Sequence, residues 1–199
     1  MNITHGSMKN SSSGTAPMLR PATQLAWIDR QHDRMVNLVV DWASINSASA
    51  NLSGLARMLE RLSADFAHLG PVERISLPPC SRVNSDGSIS PQPVGQALRI
   101  SHLKPDRQNV LLVIHMDTVH PPESAFQNCQ HLPGNRLLGP GVADAKGGIA
   151  ILLAALEGFL KTDLSGRIGW EIILNPDEEL GSPSSGDYLV SRAADHALA

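Results

Sequence analysis

Apolar positions recur at helical spacing through residues 23–45, at Leu25, Ile28, Met35, Val39 and Trp42, and predict one amphipathic helix. A Ser- and Asn-rich break follows at 46–51. A second stripe, Leu55, Leu59, Leu62, Phe66 and Leu69, predicts a helix over 52–69 with Gly70 as its stop. Residues 72–77 read as a short strand. Residues 78–93, crowded with Pro, Ser, Gly and Asn, read as a loop.

Beyond that point strand and helix patterns alternate. Residues 97–102 are strand-like, and 110–114 form an uninterrupted apolar run of the kind found in buried strands. Residues 132–138 suggest a hairpin around Gly134 and Asn135. A helix of small and apolar residues is expected over 146–161, a strand over 168–174, and a last helix from near Ser184. Such alternation predicts an α/β fold with helices on both faces of the sheet.

Composition narrows the function. The chain is 42% hydrophobic, as expected of one globular core, and carries a formal net charge of −3. That balance offers no electrostatic case for binding nucleic acid or an anionic membrane. The longest apolar run, 149–156, is too short to span a bilayer. Cys80 and Cys129 are the only cysteines, too few for a disulfide framework, and a reduced, cytoplasmic setting is the matching expectation. Residues 1–20 are polar, lack the apolar segment of a signal peptide, and are expected to form a disordered tail.

The chemistry concentrates at strand ends, where open α/β sheets place their ligands. His115 and Asp117, in His-Met-Asp-Thr-Val, follow the apolar strand. A His can bind a metal through one ring nitrogen while an Asp two residues on holds the other. The plainer reading is a polar loop. The glycine-rich run 139–148, GPGVADAKGG, leads into a helix and presents Asp144. A phosphate-binding loop is the rival, but Lys146 is followed by Gly rather than Ser or Thr and the glycine spacing differs. The third cluster, DEELGS at 177–182, follows the last apolar strand. Adjacent glutamates are usually a solvated patch, but at a metal site one can bind the ion while its neighbour takes a proton from water. One imidazole with several carboxylates suits zinc, cobalt or manganese.

Taken in order and at this spacing, HMDTV, GPGVADAKGG and DEELGS resemble the two-zinc metallopeptidase and amidohydrolase family of glutamate carboxypeptidase, acetylornithine deacetylase, succinyl-diaminopimelate desuccinylase and aminoacylase. The resemblance runs from about Trp27 to the end and is sharpest over 110–182. It implies a three-layer sandwich around a mixed, mostly parallel sheet. It assigns His115 to one Zn2+, Asp144 to a position bridging two, and Glu179 to the other, with Co2+ or Mn2+ as alternatives. Asp117 becomes the residue that orients His115, Glu178 the general base, and the Asp144–Ala145 peptide is expected to be cis. The implied reaction is hydrolysis of an amide in an N-acyl amino acid or small peptide, Glu178 taking a proton from water and passing it to the departing amine.

The resemblance also implies parts beyond Ala199: a further acidic ligand, a late histidine, and an inserted lid or dimerisation domain that would make the full-length form a homodimer. Residues 21–199 are accordingly expected to be the N-terminal part of a catalytic domain, binding metal weakly and turning over poorly alone. Asp187, Asp195, His120 and His196 are not expected to be ligands. The rivals are a non-enzymatic binding remnant and, more weakly, a nucleotide site on the glycine-rich loop.

Overall fold

The computed structural model describes residues 21–199; the tail expected over 1–20 lies outside the described residues. A central sheet runs in the order β1 (Val72–Ile75), β4 (Ala97–His102), β8 (Gly169–Asn175), β5 (Asn109–His115). It is mixed, as expected. Among its described strands β5 on β8 is the one parallel pair, with a parallel bridge from Val110 to Leu198 beside it, whereas β1–β4 and β4–β8 are antiparallel, which corrects the expectation of a mostly parallel sheet.

Helices cover both faces. Strand side chains alternate in direction, so Trp170, Ile172 and Leu174 of β8 face one way with Leu98 and Ile100 of β4. They meet α2 (His32–Ala43), α3 (Leu52–Phe66) and α4 (Gly147–Phe159) in the main core. Ile173, Ala97 and Leu111 face the other way, against Tyr188, Leu189 and Ala193 of α5 (Gly186–Ala193). The result is the expected three-layer α/β arrangement.

Three local expectations are corrected. The helix expected over 23–45 is two: α1 (Pro21–Asp29) and α2, divided at Arg30–Gln31, where the Gln31 N–H bonds Ile28 O at 2.8 Å. The apolar stripe runs on through the break because both helices lean on α4, with Ile28 lying over Gly158. The loop expected over 78–93 holds a hairpin, β2 (Cys80–Val83) on β3 (Ile89–Gln92). Pro91 hid it, but a two-stranded ribbon has free edges that tolerate proline. Finally β5 is not buried throughout. It is the last strand of the sheet, and Val113 is 46% exposed.

Other boundaries fall close to expectation. α3 is capped by the Asn51 side chain, which accepts from Gly54 N–H at 3.0 Å, and ends at Phe66, with Leu69 buried in the turn that follows. β6 (Gln130–Leu132) and β7 (Arg136–Leu138) form the anticipated hairpin, with Gly134 and Asn135 both at positive φ. No described helix is long and apolar enough to cross a membrane.

For the site, the decisive feature is the parallel pairing of β5 and β8, in register from Asn109↔Gly169 to His115↔Asn175. Parallel strands end at the same edge of a sheet. The loops carrying His115 and Glu178–Glu179 therefore leave it side by side, and Met116 N–H bonds Asn175 O at 2.9 Å between them.

Candidate metal centre

His115, the last residue of β5, is buried, with both ring nitrogens engaged. Nε2 lies 2.8 Å from Asp144 Oδ1, and Nδ1 lies 3.2 Å from Asp117 O and 3.3 Å from Asp117 Oδ1. Hydrogen bonding to Asp117 raises the His115 pKa to about 9, burial opposing and Asp144 and the charge of Glu178 assisting.

Asp117 is wholly buried and does more than orient a ring. Its carboxylate accepts the Ser49 hydroxyl at 2.7 Å and the backbone N–H groups of Glu178 and Glu179, each at 3.2 Å. One side chain thus ties the β5 loop to the β8 loop. Ser49 comes from the polar break between α2 and α3, read in the sequence only as a break. That segment is strapped to 116–118: Ser47 Oγ donates to Met116 O at 2.8 Å, and Thr118 N–H to Ser47 O at 3.0 Å. Its density of short hydroxyl and amide side chains was the available signal.

Asp144 sits in a turn of one residue stretch, Val142–Lys146, that precedes α4, and its peptide to Ala145 is cis, as the resemblance implies. Gly141 enters this turn at φ 73°, and a Cβ there would lie 2.9 Å from Thr118 Cγ2 and 3.0 Å from Lys146 Cδ. Only glycine meets both demands. Lys146 points inward. Its ammonium donates to Ile45 O at 3.0 Å, and burial lowers its pKa to about 8. A phosphate-cradling loop would offer this lysine to its ligand; here it is committed to the interior, which removes the observation behind the nucleotide reading.

Glu178 and Glu179 lie on a short 3-10 turn, Glu178–Leu180. Asp177 holds that loop from beneath: buried, it accepts Ser184 N–H at 2.8 Å and Ser185 N–H at 3.0 Å. Glu178 Oε2 reaches within 3.9 Å of His115 Nε2 while the side chain stays 54% exposed. The Glu179 pKa is raised, by burial first and then by the charge of Asp144, with smaller contributions from Asp117 and Glu178.

The sequence candidates therefore converge. One ligand atom each from His115, Asp144 and Glu179 lies within 4.8 Å of the others. An imidazole nitrogen gathered with two carboxylates is the mixed N/O donor chemistry that a divalent cation takes. The remaining candidates lie elsewhere. Asp187 begins α5, Asp195 accepts from Arg192 at 2.7 Å, His196 Nδ1 donates to Arg192 O at 2.6 Å, and His120 packs edge-on against Phe126.

Residues 111–198 match the model of peptidase family M20/M25/M40. Carboxypeptidase G2 of Pseudomonas sp. (strain RS-16) is 34% identical over 93 residues, which are 46% of this chain and 22% of that protein. The fold resembles human carnosine dipeptidase 1 (TM-score 0.68, 21% identity, 87% of this chain and 38% of that one). It also resembles the di-peptidase Dug1p of Saccharomyces cerevisiae (TM-score 0.63, 14% identity, 88% and 38%). The chain thus spans well under half the length of each of these proteins. The likeness to peptidase family M20/M25/M40 is carried by residues 111–198.

Proposed function

We propose that this chain is the metal-holding part of a hydrolase that cleaves an amide or peptide bond in an N-acyl amino acid or small peptide, with His115, Asp144 and Glu179 as ligands. The observation that carries the reading is the meeting of those three side chains within 4.8 Å. Zinc fits an imidazole with two carboxylates, and His115, Asp144 and Glu179 would hold it. A divalent ion held there supplies Lewis-acid chemistry, polarising a carbonyl and acidifying water.

The chain's own residues do the rest. Asp117 keeps the His115 ring turned so that Nε2 faces Asp144. Glu178, on the same turn as Glu179 but with an exposed carboxylate, is the general base. It takes the proton of the attacking water and returns it to the leaving amine. Because the described residues bring together one group of three ligands, the 199-residue chain alone is expected to turn over slowly. Two free cysteines, one buried, match a reducing compartment.

The test is Glu178→Gln in a form of the protein that hydrolyses N-acyl amino acids. Turnover should fall by about a thousandfold or more while zinc content stays unchanged. Retention of most activity would remove Glu178 from the role of base.

A further inference from the structure

A second concavity lies beside the metal centre. It has a volume of about 450 Å³ and is bounded by the β2–β3 hairpin on one side and the loop after β8 on the other. Ser49, Cys80, Arg82, Gln92, Leu180 and Pro183 are among its walls. Two of these connect it to the site already described: Leu180 directly follows Glu179, and Ser49 holds the Asp117 carboxylate.

Its charge is the reverse of its neighbour's. Asp144, Glu178 and Glu179 crowd carboxylates at the metal centre, whereas no acidic side chain lines this pocket and Arg82 is its single cationic one. The hairpin register puts Cys80, Arg82 and Gln92 on one face of the ribbon. Across that face Arg82 Nη1 donates to Gln92 Oε1 at 3.1 Å, and among the described residues Arg82 forms no ion pair. A guanidinium braced by a neutral amide keeps its remaining N–H groups for an anion, and its planar fork matches a carboxylate.

We propose that this pocket is a carboxylate subsite, in which Arg82 holds an anionic group of the acyl amino acid or short peptide whose amide lies at the metal centre. The inference rests on the hydrolase reading. It makes Arg82 a specificity-determining residue. Arg82 is the one cationic side chain lining the pocket, so a substrate carboxylate is drawn to it, which sets the direction in which substrate lies across the site.

The test uses the full 199-residue chain, metal-free and zinc-loaded, titrated with four small probes and followed by NMR at the amides of Ser81, Arg82, Gln92 and Leu180. N-acetyl-L-glutamate carries two carboxylates. N-acetyl-L-glutamine keeps only the terminal one, the α-amide of N-acetyl-L-glutamate keeps only the side-chain one, and N-acetyl-L-glutamine amide has neither. The dicarboxylate should bind about tenfold or more tightly than the neutral probe, and Arg82→Gln should abolish that preference while Arg82→Lys restores part of it. Whichever monocarboxylate retains the preference identifies the source of the anion. Arg82 is exposed on a surface ribbon, so the variants keep the core intact. Equal binding of charged and neutral probes, or a preference that survives Arg82→Gln, would overturn the subsite. Zinc uptake is measured alongside. Uptake with charge-indifferent probes defeats the subsite alone, whereas Arg82-dependent binding without zinc uptake leaves an anion pocket but removes the metal centre, and with it both the hydrolase reading and the assignment of that anion to a substrate.

Discussion

The ammonium of Lys146, wholly buried, donates at 3.0 Å to the carbonyl of Ile45. Ile45 lies just past the end of α2, and Lys146 closes the turn that carries Asp144, so the bond clamps the metal-centre loop to the helical layer. The lysine contributes both a polar contact and the volume of its stem. Lys146→Ala leaves a cavity and an unpaired carbonyl and should cost about 2–3 kcal/mol. Lys146→Met leaves the same carbonyl unpaired but keeps the volume and relieves the burial of a charge, so it should stay within about 1 kcal/mol of the parent. Urea denaturation of the two variants checks this. Equal losses would mean that the stem plays no part.

The pairing of His115 with Asp117 makes metal binding a proton-coupled event. With its pKa raised to about 9, His115 is protonated at neutral pH in the metal-free site, and a cation must displace that proton. Zinc affinity should therefore rise with pH up to about 9 and level off above it. Uptake near pH 7.5 should release about one proton from this histidine, read by calorimetry in buffers of different ionisation enthalpy. Asp117→Asn removes the main cause of the raised pKa and slackens the ring. Proton release should shrink and zinc affinity fall by about 10- to 100-fold. Unchanged proton release in that variant would contradict the assignment.

On the opposite face of the sheet, Glu171 of β8 governs acid stability. Its carboxylate, without solvent exposure, accepts Arg99 Nε at 2.9 Å and Arg192 Nη2 at 2.8 Å, joining β4 to α5. Burial alone would raise its pKa, but the hydrogen bonds from Arg192 and Arg99 prevail and hold it at about 2, against an ordinary 4.5. Because the folded value is the lower one, the stabilisation is fully present above about pH 4.5 and is lost as pH falls toward 2. Its size is on the order of 3 kcal/mol. Glu171→Gln should lose about that much at pH 7 and flatten the decline of stability between pH 4.5 and 2, measured by denaturant titration across that window. An identical pH profile in the variant would show that the network contributes nothing.

The sequence alone determined the elements whose periodicity is local. α3, β4, β5, β8 and α4 follow from their own apolar patterns, because a buried stripe or run leaves its spacing in the residues themselves. It also named His115, Asp117, Asp144, Glu178 and Glu179, through three ordered motifs and the family they resemble. Tertiary structure decided what no local pattern encodes. The division of α1 from α2 depends on how both lie against α4. The β2–β3 hairpin depends on cross-strand hydrogen bonds that Pro91 made the sequence appear to forbid. The convergence of the site depends on parallel register between β5 and β8, and on Asp117 bonding backbone groups more than 60 residues away. These are relations between distant segments. Their free energy lies in contacts formed only once the chain has closed on itself, which is why Ser49 and Arg82 acquired neighbours that their own sequence surroundings could not announce.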